Sequence, residues 1–97
     1  MKLTQADIAG LPDRLPGWAV DGDALVRTFT FASFPDAIAF VTRLAFDAEA
    51  SDHHPDLKVS YRRVTVSWTS HDAGALTSKD VAGAERTNAA ARLLPTD

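Results

Sequence analysis

The chain holds three histidines, and two of them, His53 and His54, stand side by side between Asp52 and Pro55. The third, His71, follows Thr69 and Ser70 and precedes Asp72. Imidazole is the one side chain whose unperturbed pKa lies near neutrality, so a group of them can present a protonated donor and a neutral acceptor at one pH. Such a pair suits chemistry that gives a proton at one atom and takes one at another, as the elimination of water does.

Other readings of these residues lead elsewhere. A single exposed histidine is ordinarily just a surface residue. A metal centre would use the same side chains, but adjacent histidines in an extended segment point to opposite sides and chelate one ion poorly, so none is expected. Ser51, Ser60, Ser70 and Ser78 offer hydroxyls, yet none sits in a nucleophile elbow. No glycine-rich phosphate loop is present. With no cysteine, a thiolate nucleophile, a disulfide framework and a cysteine-held zinc are excluded.

The elements that must position the histidines can be read from periodicity and caps. Thr4 with Asp7 forms a capping-box signature that opens a short helix carrying Ile8 and Leu11, closed by Pro12. Residues 17–20, the turn signal Asp21-Gly22-Asp23 and residues 24–31 predict a hairpin with Leu25, Phe29 and Phe31 on one face. Ser33, Pro35 and Asp36 open a second helix, in which Ala37, Ile38, Phe40, Val41, Leu44, Ala45 and Ala48 recur at three and four. It should end near Ser51, because Pro55 pushes His54 out of the helical region. His53 and His54 are therefore expected on a loop.

Beyond them, Leu57, Val59 and Tyr61, then Val64, Val66 and Trp68, alternate with polar residues as in two half-buried strands, with Arg62-Arg63 at their turn. Tyr61 and Trp68 read as core residues of the sheet. Thr77 and Asp80 form another capping box, stapled by Leu76 and Val81, and open an alanine-rich helix to about Leu94. The order α-β-β-α-β-β-α implies an α+β fold: a four-stranded antiparallel sheet with the helices packed on one face. If the last two strands pair through a tight turn, the loops carrying His53, His54 and His71 open at the same end and three imidazoles converge.

Length and composition bound the rest. At 97 residues, 45% of them hydrophobic and 24% charged, residues 1–97 read as one domain with a modest core. A net charge of −3 with no basic stripe argues against direct nucleic-acid binding. Neither a signal peptide nor a membrane span is apparent, so a cytoplasmic location with no membrane partner is expected.

Glu49, three residues, His53-His54-Pro55, five residues, Tyr61, nine residues, His71, eight residues, Asp80: this spacing resembles the signature of the pterin-4a-carbinolamine dehydratases. Phe29-Thr30-Phe31, the helix from Phe34 to Ala48 and Gly74-Ala75-Leu76-Thr77 resemble the family as well. The chain departs from many relatives at Leu57-Lys58, where an aromatic residue is common, and at Arg62, often asparagine.

The resemblance implies loss of water from a 4a-hydroxytetrahydropterin to give quinonoid dihydropterin, in recycling of the tetrahydropterin cofactor, with no cofactor or metal of its own. It assigns His54 and His71 as the acid and base pair and His53 as a further binding or proton-transfer group. It places Asp52, Thr69, Ser70 and Asp72 along the pterin site, and gives Glu49, Pro55 and Asp80 supporting roles. For Asp80, capping the last helix is the stronger reading; Pro55 shapes the histidine loop. Family members form dimers or dimers of dimers, so a homodimer or homotetramer is expected. Since some relatives act through surfaces, a non-catalytic interaction or assembly factor on the same fold is the alternative.

Overall fold

The structure is a computed structural model that describes residues 1–96. Its longest helix begins where the sequence places a cap. Ser33 is extended, its Oγ accepts the Asp36 N–H at 3.2 Å, and Pro35 occupies the first turn, where no N–H is needed. The helix Phe34–Ser51 then turns Ala37, Phe40, Leu44 and Ala48 into the core. Removing the cap by Ser33→Ala is expected to cost about 1 kcal/mol. Urea unfolding at unchanged m-value checks this.

The elements run α1 (Gln5–Ala9), α2 (Leu11–Arg14), β1 (Ala19–Asp21), β2 (Ala24–Thr30), α3 (Phe34–Ser51), β3 (Asp56–Ser60), β4 (Arg63–Trp68) and α4 (Ser78–Ala91). One antiparallel sheet of order β1-β2-β4-β3 joins the two hairpins through their second strands, with Leu25 opposite Trp68 and Phe29 opposite Val64. Leu25, Phe29, Val64, Val66 and Trp68 point from the sheet into a core shared with α3 and α4, where Phe40 meets Phe29 and Phe31 at ring separations of 5.2 and 4.8 Å. Each such side chain contributes about 1.5–3 kcal/mol by leaving water. The α+β architecture is the expected one.

Five local expectations are corrected. The Thr4 capping box forms, but the helix stops at Gly10, and Pro12 lies in the first turn of a second short helix instead of closing the first. The β3–β4 turn is Tyr61-Arg62, with Arg63 already in β4. Tyr61 is therefore not a core residue: it is 69% exposed with φ of 54°, its ring stacked on Phe34. β3 pairs only with β4, and all its residues, Leu57 and Val59 included, are exposed. Alternation put these two on the correct face, but the helices do not reach across to cover it. Finally, α4 ends at Ala91, not Leu94.

Candidate active site

Five chain segments meet at one end of the sheet: the α3 C-terminus, the start of β3, the end of β4, the β1–β2 turn and the N-terminus of α4. Asp52 ends α3 in the left-handed conformation, φ 52° and ψ 39°, with its N–H bonded to the Ala48 and Glu49 carbonyls. Aspartate tolerates this region better than most residues. The reversal releases His53, His54 and Pro55 as a loop running into β3.

His53 turns inward. Its Nε2 lies 2.7 Å from Asp80 Oδ1, and its ring rests on Trp68 with centroids 5.2 Å apart. Asp80 is wholly buried at the start of α4. Its other oxygen accepts the Thr77 N–H at 2.9 Å and the Ser70 hydroxyl at 2.8 Å, and Ser70 Oγ lies 2.7 Å from Thr77 Oγ1. A carboxylate only accepts, so His53 donates through Nε2, which leaves Nδ1 as the nitrogen free to take a proton. Capping, the stronger reading of Asp80 from the sequence, uses one carboxylate oxygen, and the contact with His53 uses the other.

His54 points the other way, as neighbours in extended chain must. Its Nε2 is 2.8 Å from Glu49 Oε1 on the surface. His71 lies in the turn after β4, exposed. With Ser70, Asp72, Thr77 and Lys79 it lines a cavity of about 290 Å³. Neither His53 nor His54 lines that cavity, so the three imidazoles share one end of the sheet but not one wall. Of the other expected site residues, Ser70 belongs to the Asp80 network. Thr69 is committed elsewhere, its hydroxyl donating to the Asp23 carbonyl at 2.6 Å and tying β4 to the β1–β2 turn. The Asp52 and Asp72 side chains are exposed, and Pro55 is half-buried. Among the described residues no group of three or more His, Cys, Asp or Glu is placed to hold a metal ion.

Two participants were not singled out from the sequence. Its alternation with Val64 and Val66 marks Trp68 as core, and in the fold it is also the surface on which His53 lies, with its indole N–H fixed on Thr87 Oγ1 at 2.9 Å. Thr77 caps α4, and its hydroxyl is also within hydrogen-bond distance of Ser70. The arrangement can hold one imidazole in a set tautomer beside two surface imidazoles, which is equipment for proton transfer.

Comparison with known proteins points the same way. The family model described as Pterin 4 alpha carbinolamine dehydratase matches residues 1–90. A protein of Chloroflexus aurantiacus, provisionally named a pterin-4-alpha-carbinolamine dehydratase, is 51% identical over 84% of this chain and 87% of its own length. A protein of the same provisional name from Thermomicrobium roseum is 47% identical over 88% and 91%. Among solved structures, the transcriptional coactivator/pterin dehydratase from Brucella melitensis superposes with a TM-score of 0.88 at 35% identity, covering 94% of this chain and 99% of its own. A pterin dehydratase-like protein identified as a RuBisCO assembly factor in the alpha-carboxysome shares the fold, with a TM-score of 0.64 at 23% identity over 76% and 86% of the two chains.

Proposed function

This chain belongs to the pterin-4a-carbinolamine dehydratase family, a family of hydro-lyases, and from that premise we propose that it removes water from a 4a-hydroxytetrahydropterin in recycling of the tetrahydropterin cofactor. In the reaction the C4a–O bond breaks as the departing hydroxyl takes a proton and leaves as water. The N5 lone pair forms the C4a=N5 bond of quinonoid dihydropterin, and N5 gives up its proton. Proton uptake and release balance, so histidines alone can complete the cycle.

The observation that carries this reading is the buried Asp80 carboxylate holding His53 while His54 and His71 stand exposed at the same end of the sheet. In this reading His54 and His71 form the acid and base pair, and His53 is the further binding or proton-transfer group. Ser70 and Asp72, which line the His71 cavity, meet the polar edge of the pterin together with Asp52 and with Thr69, whose oxygen can still accept a hydrogen bond while its proton is held by Asp23. Glu49 orients His54, and Pro55 sets the loop. The protein works as one domain in the cytoplasm; no helix among the described residues is long and apolar enough to cross a membrane. The open edge of β3, with Leu57 and Val59 exposed, favours assembly into a homodimer or homotetramer.

The test follows the ultraviolet absorbance of freshly generated 4a-hydroxytetrahydropterin without added metal. Wild type is expected to speed the loss of water, and His54→Ala and His71→Ala, still folded, to be slower by at least about tenfold. A wild-type protein that leaves the rate unchanged overturns the proposal. The likeness to an assembly factor would then make a protein partner the better reading.

A further inference from the structure

At the far end of α4, away from the histidines, a second cavity of about 470 Å³ opens between the sheet and the helix. Its floor is unusual for the core-facing side of a strand. Leu25, Arg27 and Phe29 alternate onto the same face of β2, so Arg27 enters the core layer as a half-buried cation. The guanidinium lies over the Phe29 ring, 4.4 Å from its centroid, and Nη1 donates to Asn88 Oδ1 at 3.0 Å. The same oxygen accepts the indole N–H of Trp18 at 2.9 Å.

Arginine carries five N–H donors, so one neutral acceptor leaves most of its fork unused. Arg92, at the C-cap of α4, lines the same cavity. Among the described residues neither arginine pairs with a carboxylate, and no acidic residue lines the cavity. This is notable in a chain of net charge −3. Gly17 explains how the guanidinium is accommodated: a Cβ there would sit 3.2 Å from Arg27 Nε and Cζ, and φ of 89° already favours glycine. Pro16, Ala91 and Leu94 add apolar wall. The volume falls in the range of small-molecule sites, about 300–1,000 Å³.

The geometry points to a binding site, separate from the histidine site, for a small organic carboxylate: its two oxygens bridge the Arg27 fork and Arg92, and its apolar body lies against Pro16, Ala91 and Leu94. The occupant is a small acid rather than bare phosphate, because half the wall can only reward apolar surface.

The two tryptophans make the test direct. Trp18 shares Asn88 with Arg27, whereas the Trp68 indole is buried on Thr87, so the Trp18 indole N–H resonance reports the site and that of Trp68 reports the fold. Titration with benzoate is expected to move the Trp18 signal saturably, with a midpoint in the millimolar range or below, and to leave Trp68 in place. Benzamide and inorganic phosphate should bind at least about tenfold more weakly, and Arg27→Gln should bind benzoate at least about tenfold more weakly than wild type. Arg92→Gln, on an exposed residue, covers the case in which Arg27→Gln does not fold, and should weaken benzoate several-fold. The titration is repeated on Asp97→Asn, so that the side-chain carboxylate next in sequence to Thr96 does not enter the comparison. No saturable shift of Trp18, an equal response to benzamide, or benzoate binding unchanged in both arginine variants overturns the inference. Tighter binding of phosphate than of benzoate overturns the carboxylate assignment.

Discussion

Asp80→Asn is expected to slow dehydration of the 4a-carbinolamine by about 10²–10⁴-fold while leaving the protein folded. The carboxylate accepts from Thr77, from Ser70 and from His53, and all three contacts are buried or nearly so. An amide keeps one acceptor. Placed toward the Thr77 N–H and Ser70, that oxygen preserves the helix cap, and the amide NH₂ then faces His53 Nε2. Two donors cannot share that contact, so His53 must move its proton to Nδ1 and accept through Nε2. The ring keeps its place on Trp68 but presents the wrong tautomer to whatever lies beyond Nδ1. Stability falls by only about 1–3 kcal/mol, the cost of a compromised buried hydrogen bond. Asp80→Ala removes cap and partner together and should cost more.

The measurement pairs turnover with nitrogen NMR of the His53 ring. Loss of rate, a changed tautomer and a cooperative urea transition together bear out the assignment. Near-wild-type turnover with His53 still protonated at Nε2 would falsify it, because Asp80 would then be a cap and nothing more.

How much of this was legible beforehand follows from how local each signal is. The capping boxes at Thr4 and Thr77 and the cap at Ser33 depend on residues three apart, and all three form as read. The heptad-like recurrence in α3 and the alternation in β2 and β4 likewise rest on periodicity, and Phe40, Leu44, Phe29 and Val66 are buried as those periods require. The bond from Asp80 to His53 spans 27 positions and exists only because α4 starts beside the end of α3. No spacing rule encodes that placement. The spacing resemblance marked both residues without saying that they touch, and it did not separate inward His53 from outward His54.

The misreadings at Tyr61 and in β3 share a cause. Alternation tells which face a side chain takes, not whether anything covers that face. Tyr61 continued the Leu57, Val59 pattern by one step, into a turn whose positive φ lifts it off the sheet. Arg27 is the converse case. Its charge suggests a solvent-facing position, while its place between Leu25 and Phe29 puts it on the buried face. The aromatic ring and the Asn88 carbonyl that receive it come from tertiary packing.

Gly83→Ala is expected to destabilise the protein by about 1–3 kcal/mol, against the sign that helix propensity assigns to the change. In the middle of an exposed helix the same substitution would stabilise by about 1 kcal/mol. Here a Cβ would lie 2.6 to 2.7 Å from Cδ2, Cε2 and Cε3 of Trp68, well inside carbon–carbon contact. Neither side can yield easily. Trp68 is fully buried with its indole N–H on Thr87, and Thr87 in turn donates to the Gly83 carbonyl at 2.7 Å, so ring and helix are tied to each other. A displaced Trp68 also carries His53 with it, since that ring lies against Trp68 and is otherwise held by the Asp80 bond. Gly83→Ala should therefore lower the urea midpoint at constant m-value and reduce turnover together. A substitution that merely relieved backbone entropy would raise the midpoint and leave turnover alone. That outcome would show that the indole has room to retreat and that the histidine does not depend on where it lies.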